Sequence, residues 1–294
     1  METDPTPVLR REIYDAKKQD TLPGTLVRSE GEAESADETV NAVYDAIGTI
    51  ADFFHTVYGR DSLDGKGGPL RATVHHGMPG FNAFWDGERF ALADGDGTIF
   101  QPRPQELLDV VAGPLTKLIL NPDLAYVFQP GALSESVSDV FASLVKQYSL
   151  GQTADRADWL VGTGVFAPGI KAKGLRSMAE PGTAYDDQRV GKDPQPGHMD
   201  DYAELEIHRD NGGVHINSGI PNRAFHLTAT AIGGNAWEKA GRIWYEAVTG
   251  GKLDTEATFE DFATLTATIA EELYGTGAEL DAVNAAWKTV GVLR

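Results

Sequence analysis

Seven histidines stand at positions 55, 75, 76, 198, 208, 215 and 226, and they are the first residues to examine for chemistry. No two of them lie four apart on a helical face, the spacing at which paired imidazoles chelate a metal. Glu135 and Asp139 do share a face at i, i+4, where two carboxylates repel by roughly a few tenths of a kcal/mol unless a cation is near. Cysteine is absent, which excludes disulfides, thiolate metal sites and a cysteine nucleophile. Neither a G-x-S-x-G elbow nor a G-x-x-x-x-G-K-[ST] phosphate loop occurs. Gly162-Thr163-Gly164-Val165-Phe166-Ala167 loosely fits a dinucleotide-binding turn, but Pro168-Gly169 follows where that motif needs an opening helix. Aspartates at 109, 186, 187, 193, 200 and 201 offer the oxygen ligands that calcium takes, although such clusters are ordinarily solvated turns.

Two different grains of sequence must position these groups. Up to about residue 104, Gly and Asp turns separate short apolar runs. Leu70–Gly77 and Glu88–Phe100 are predicted strands, with Asp94-Gly95-Asp96-Gly97 as a turn between two of them. One helix interrupts this half: Val40, Val43, Ile47, Ile50, Phe54 and Val57 fall on one stripe, with a start at Asp37 or Thr39 and a stop at Gly59. Beyond Pro104, apolar periodicity predicts helices over 105–120, 134–150, 222–233, 235–249, 258–274 and 279–290, while 162–208 is loop-like. The fold class is α+β, with a β-rich N-terminal lobe over 1–120 that ends in a central helix and a helical lobe over 121–294. Inside a helix Gly113 costs about 1 kcal/mol and Pro114 about 3 relative to Ala, so the helix over 105–120 must kink or restart near Pro114.

Composition narrows the partners. The 294 residues, 41% of them hydrophobic, suffice for substantial cores. Lys+Arg 25 against Asp+Glu 44 leaves a net charge of -19, which disfavours nucleic acid and anionic membranes. No apolar run approaches the roughly 18–20 residues of a membrane helix. The N-terminal METDPTPVLRREIYDAKKQD has no apolar h-region. The expectation is a cytoplasmic protein with no signal peptide or transmembrane segment.

Several strings, taken in order, resemble the thermolysin-like neutral metallopeptidases (M4), nearest to the protealysin-type branch. They are Asn82-Ala83-Phe84-Trp85-Asp86-Gly87 with the Asp94–Gly97 turn, Asp109-Val110-Val111-Ala112, Gly131 to Phe141, Leu175-Arg176-Ser177-Met178, and Asp210 to Ile220. The resemblance runs from about Arg11 to Val292 and implies a thermolysin-like fold of two lobes with a cleft between them. It implies Glu135 as the third zinc ligand and Asp139 as the acid that orients a ligand histidine. Tyr126 and His215 become the donors to an oxyanion, Asp210 the carboxylate behind His215, Asn82 and Ala83 backbone contacts to a peptide, and Arg176 a contact to a substrate carbonyl. In that family the Asp-Val-Val-Ala-like string leads into His-Glu-x-x-His, two zinc ligands and a general base. Here it leads into Gly113-Pro114-Leu115-Thr116-Lys117, and the segment from Lys117 to Glu135 is slightly short of the family spacing.

From these residues the expected function is a zinc-free, proteolytically inactive pseudopeptidase that retains a peptide-binding cleft. The alternative is a metal-independent enzyme in which His215, Asp210, Tyr126, Lys117 and Glu135 serve acid/base or condensation chemistry on a peptide-like metabolite. No zinc is expected. Calcium near Asp109 is left open, although Lys146 stands where many members carry a carboxylate. Lys117 would bring its ammonium to within about 4 Å of Glu135 in place of the metal, and His215 would remain an oriented donor on Asp210. The expected partner is a peptide, a protein segment or a peptide-like small molecule. Changes at three functional positions beside a shortened segment are more the mark of divergence than of a designed knock-out.

Overall fold

The computed structural model describes residues 9–77, 80–120 and 124–294. Residues 1–8, which open the stretch read for a leader, and 121–123, inside the short segment before Glu135, lie outside the described residues. The chain divides into two compact units, Met1–Ile119 with Gly164–Ala167, and Leu120–Thr163 with Pro168–Arg294.

The first unit is built on strands β1 (Arg11–Asp15), β2 (Thr25–Ser29), β3 (Leu70–His76), β4 (Ala83–Trp85) and β5 (Phe90–Ala93), with helix α1 (Glu38–Tyr58) between β2 and β3. The sheet order is β2-β1-β3-β5-β4. The inner pairs β1/β3 and β3/β5 are parallel, and the outer pairs are antiparallel. Inner strands of this kind are covered on both faces, which is why Ala72-Thr73-Val74 and all of Phe90–Ala93 are buried. Helix α1 buries Val40, Val43, Ile47, Ile50, Phe53 and Phe54. Its ends are the ones its sequence called for. Asp37 caps the first turn by accepting from the amides of Thr39 (2.9 Å) and Val40 (3.2 Å), and Gly59 closes the last turn with φ 68°.

Two expectations are corrected in this unit. Strand β5 stops at Ala93, where the Asp94–Gly97 turn was expected, but no second strand follows it, because Asp96 Oδ1 draws in the amides of Thr98 (2.6 Å), Ile99 (2.6 Å) and Phe100 (3.3 Å). That side-chain turn competes with a ladder. Phe100 instead bridges to Phe166, and the Gln101 amide donates to the Val165 carbonyl at 2.9 Å. The helix predicted over 105–120 is only α2 (Leu108–Leu115), flanked by 3-10 turns at Pro104–Glu106 and Thr116–Ile119. Pro114 has no N–H for the Val110 carbonyl, and the chain tightens two residues later, where the Thr116 hydroxyl donates to the Gly113 carbonyl at 2.6 Å.

The second unit is mostly helical: α3 (Phe128–Leu150), α4 (Asp210–Asn217), α5 (Gly219–Ile232), α6 (Ala240–Thr249), α7 (Phe259–Tyr274) and α8 (Ala278–Thr289). The stretch read as loop carries two small two-stranded pairs, β6 (Leu160–Val161) with β7 (Arg176–Ser177), and β8 (Asp186–Asp187) with β9 (Gly191–Lys192). Helix α3 starts six residues earlier than its periodicity predicts, since Pro130 is tolerated in a first turn. It is buried on most of its surface from Pro130 to Val145, which blurs any amphipathic stripe. Trp244 and Trp287 stack at 6.2 Å in the core, with Phe262 edge-on to both. The indole of Trp287 donates to Thr266 Oγ1 at 3.0 Å. No helix among the described residues is long and apolar enough to cross a membrane.

Candidate active site

Helices α3 and α4 meet through Gly131. A Cβ there would lie 2.5 Å from Val214 Cγ1 and 3.0 Å from the Tyr126 carbonyl carbon, so the close approach that brings the Tyr126 segment and α4 together requires a glycine. Helix α4 opens with four residues in the left-handed region, Asp210 (φ 51°), Asn211 (49°), Gly212 (82°) and Gly213 (88°). This tight turn folds Asp210 back under His215, where one carboxylate oxygen accepts the His215 amide at 2.9 Å and the other meets the ring Nδ1 at 2.5 Å. A carboxylate at Nδ1 holds a proton on that nitrogen and aims Nε2 outward.

Nε2 of His215 lies 3.3 Å from the Tyr126 hydroxyl and 3.6 Å from Glu135 Oε2. The Tyr126 hydroxyl donates to Glu135 Oε1 at 2.5 Å. Tyr126, Glu135, His215 and Asp210 therefore form one hydrogen-bonded group within the second unit. Burial opposes charge on His215, but the Asp210 hydrogen bond and the charges of Glu135 and Asp210 outweigh it and raise its pKa. Burial, followed by the Glu135 charge, pushes the Tyr126 phenol far up and keeps it protonated. The His215 side chain is 51% exposed and that of Glu135 14%, so the ring edge reaches solvent while the carboxylate sits behind it.

Asp139, one turn beyond Glu135 on α3, is buried. Its oxygens accept from Arg176 Nε and Nη2, both at 2.7 Å, and from Asn222 Nδ2 at 2.8 Å. The guanidinium and carboxylate form a two-point fork that ties β7 to α3. Asn222 was not singled out by sequence reasoning, and neither was Gln195, whose amide reaches the His215 carbonyl. Nothing in their local sequence separates them from ordinary polar loop or helix residues.

The remaining expected residues belong to the first unit. Ala83 pairs with Leu92 in β4, and the Asn82 carbonyl accepts the Ala93 amide at 2.9 Å. β4 is a terminal strand of the sheet. Asp109, Gly113 and Pro114 lie on α2, with Asp109 buried, and Lys117 lies in the 3-10 turn after it. The acidic loop residues of the second unit are partly spent on local donors. Asp187 holds Arg189 and the Lys171 amide, and Asp193 holds the amides of Gly182, Ala184 and Gln195. Lys146 places its ammonium on Asp158 at 3.0 Å and the Leu160 carbonyl at 3.1 Å.

Two family models match the chain. That of the thermolysin metallopeptidase catalytic domain covers residues 3–117, and that of the thermolysin metallopeptidase alpha-helical domain covers residues 122–292. An "Extracellular metalloprotease" of Pectobacterium carotovorum subsp. carotovorum is 51% identical over 96% of this chain and 81% of its own length. "Protease PrtS" of Photorhabdus sp. (strain Az29) is 48% identical over 97% of this chain and 76% of its own length. Among solved structures, the precursor of protealysin, a metalloproteinase from Serratia proteamaculans, superposes with a TM-score of 0.93 at 49% identity, covering 99% of this chain and 90% of that one.

These relatives overturn the expectation of a proteolytically inactive pseudopeptidase, and with it the alternative of a metal-independent enzyme acting on a metabolite. Proteins this similar over nearly the whole chain are named as proteases. The expectation of no zinc falls with them, because metalloproteases of this family use zinc and often calcium. The ligand set is a separate matter of geometry. Among the described residues no group of three or more His, Cys, Asp or Glu side chains could hold a metal ion. Gly113 and Lys117 carry no imidazole and Glu135 is a single carboxylate, so the residues described do not compose a three-ligand zinc site. The chemistry open to this chain's own groups is that of Tyr126, Glu135, His215 and Asp210. With one domain model matching each half and the relatives covering almost every residue, the chain belongs to the thermolysin metallopeptidase family and has its α+β fold, an N-terminal mixed sheet domain followed by a helical one.

Proposed function

We propose that the chain acts on peptides and proteins as a peptidase. We also propose that the family's His-Glu-x-x-His motif has given way at positions 113–117 to Gly-Pro-Leu-Thr-Lys. The observation that carries the activity is the joint presence of Tyr126, Glu135, His215 and Asp210 in one hydrogen-bonded group in a chain about half identical to named proteases. An extended peptide adds through its main chain to β4 (Ala83–Trp85), a terminal strand of the sheet among the described residues. His215 Nε2 and the Tyr126 hydroxyl are two donors 3.3 Å apart, a spacing that suits one carbonyl oxygen as it gains negative charge. In the free protein the Tyr126 proton is given to Glu135, so a bound carbonyl competes for it by rotation of the hydroxyl. Asp210 holds the ring in place and balances its charge.

The test is cleavage of an internally quenched peptide and of casein by the purified chain, measured with zinc supplied and after chelation. Removing one such donor costs on the order of 100- to 1,000-fold in kcat, the loss expected for Tyr126→Phe and for His215→Phe. A wild-type chain that cleaves neither substrate under either condition would refute the proposal. So would cleavage that both variants retain in full.

A further inference from the structure

We infer that Gln195 is a positioning residue for His215, an inference that rests on the role proposed above for that histidine. Helix α4 ends at Asn217 and α5 begins at Gly219, so the His215 carbonyl lies at the junction of two helices rather than within one. It accepts Gln195 Nε2 at 2.7 Å and the Ser218 hydroxyl at 3.1 Å, and Gln195 Nε2 also reaches Ser218 Oγ at 3.0 Å. His215 is thereby held at three points: its ring and amide by Asp210, its carbonyl by Gln195 and Ser218. The turn on its N-terminal side is made of four left-handed residues; Gly212 and Gly213 adopt that conformation readily, whereas Asp210 and Asn211 hold it at a cost that their surroundings must offset. The anchor on the C-terminal side supplies that constraint.

Gln195 is itself fixed. Its backbone N–H donates to Asp193 Oδ1 at 3.1 Å, and the other oxygen of Asp193 accepts from the backbone N–H groups of Gly182 and Ala184. Both side chains are buried. Gly219 lets the helix junction lie directly against this segment: a Cβ there would sit 2.5 Å from the Pro196 carbonyl oxygen and 3.0 Å from Gln195 Cβ. The Gln195 Oε1 atom is buried and has no hydrogen-bond partner. Buried polar atoms are nearly always paired, and a leucine would fill this volume without an orphaned oxygen. What glutamine offers here and leucine does not is the donor to the His215 carbonyl.

The experiment compares Gln195→Leu with Gln147→Leu in the full chain. Gln147 is also buried with an unpaired Oε1, but its amide donates to Ser143 within α3. The first readout is the low-field proton resonance of the short His215–Asp210 hydrogen bond, assigned by its loss in Asp210→Asn. The second is the split of kcat against KM on the quenched peptide. The expected result is that Gln195→Leu broadens or abolishes the resonance and lowers kcat roughly 10- to 100-fold, the scale of misplacing a catalytic group by about 1 Å, with KM and the thermal midpoint little changed. Gln147→Leu should keep both the resonance and kcat. An intact resonance in Gln195→Leu, or its equal loss in Gln147→Leu, would overturn the inference. The resonance decides the role of Gln195 whether or not the chain cleaves the peptide, so a failure of the peptidase reading is told apart from a failure of this one.

Discussion

His75 should make the first unit lose stability as the solution turns alkaline. Its ring bridges two carboxylates, with Nδ1 2.6 Å from Asp94 and Nε2 2.9 Å from Asp37. Asp37 is also the cap of α1, so one imidazole joins the start of that helix to the turn after β5. The Asp94 hydrogen bond leads the causes that raise its pKa from 6.5 to about 9, against a burial that works the other way. A group whose pKa is higher in the folded protein stabilises it fully below its unfolded value, and that contribution is lost as pH rises through the folded value. The window is therefore about pH 6.5 to 9. The shift corresponds to a ceiling of roughly 3.4 kcal/mol. Asp37 and Asp94 are 40% and 35% exposed, and solvent screening brings the expectation down to about 1–2 kcal/mol. Urea unfolding of wild type and His75→Gln at pH 6, 7.5, 9 and 10 reads this directly. The variant should be less stable by about 1–2 kcal/mol at pH 6, and the gap should close by pH 10. A gap that stays constant across the series would mean that packing or the strained backbone at His75 (φ 53°) sets the difference, and that the charge does not.

Three further outcomes follow from contacts in the second unit. Gly131→Ala forces a methyl to within 2.5 Å of Val214 and should cost about 1–3 kcal/mol by overpacking, read by thermal melting together with loss of the low-field His215 resonance. Arg176→Met leaves the buried Asp139 carboxylate without its guanidinium, with Asn222 still donating, and should destabilise by about 3 kcal/mol, the low end for a broken buried pair because Arg176 is itself partly exposed; adding Asp139→Asn should recover part of that loss in a double-mutant cycle. Thr266→Val removes the hydroxyl that accepts the Trp287 indole proton in the core and should cost about 1–3 kcal/mol in urea melts.

Where local rules and tertiary packing agreed, the chain could be read before folding was considered. The stripe from Val40 to Phe54, with a start expected at Asp37 or Thr39 and a stop at Gly59, became α1 with Asp37 as its cap, and the helix expected over 258–274 became α7. Where they disagreed, reading failed for identifiable reasons. The stretch after the Asp94–Gly97 turn looks like a second strand because nothing in its apolar pattern reports the three amides that Asp96 collects. The start of α3 was missed because a helix buried on most sides shows little periodicity, and because a proline in its first turn resembles a breaker. Helix α4 was invisible to periodicity altogether, since its first four residues are left-handed and too few follow them to carry a pattern.

The site divides along the same line. Asp210, His215, Tyr126 and Glu135 could be named from short strings because their geometry is written locally. An acidic residue, an Asn-Gly-Gly turn and a histidine five positions on bring a carboxylate within reach of an imidazole. The partners that hold this arrangement are remote, with Asn222 83 residues from Asp139 and Gln195 20 from His215, and no periodicity or spacing couples such positions. The same locality explains why the inactivity expected from residues 113–117 did not stand. Five positions speak to their own ligands, whereas an activity is carried by the whole frame, and that frame is shared over 96% and 97% of the chain with proteins named as proteases. The motif change proposed at 113–117 and the donor group of Tyr126 and His215 are thus separate matters. The first bears on how a metal would be held and the second on how a peptide carbonyl would be met, and the Tyr126 and His215 variants test the second without presupposing the first.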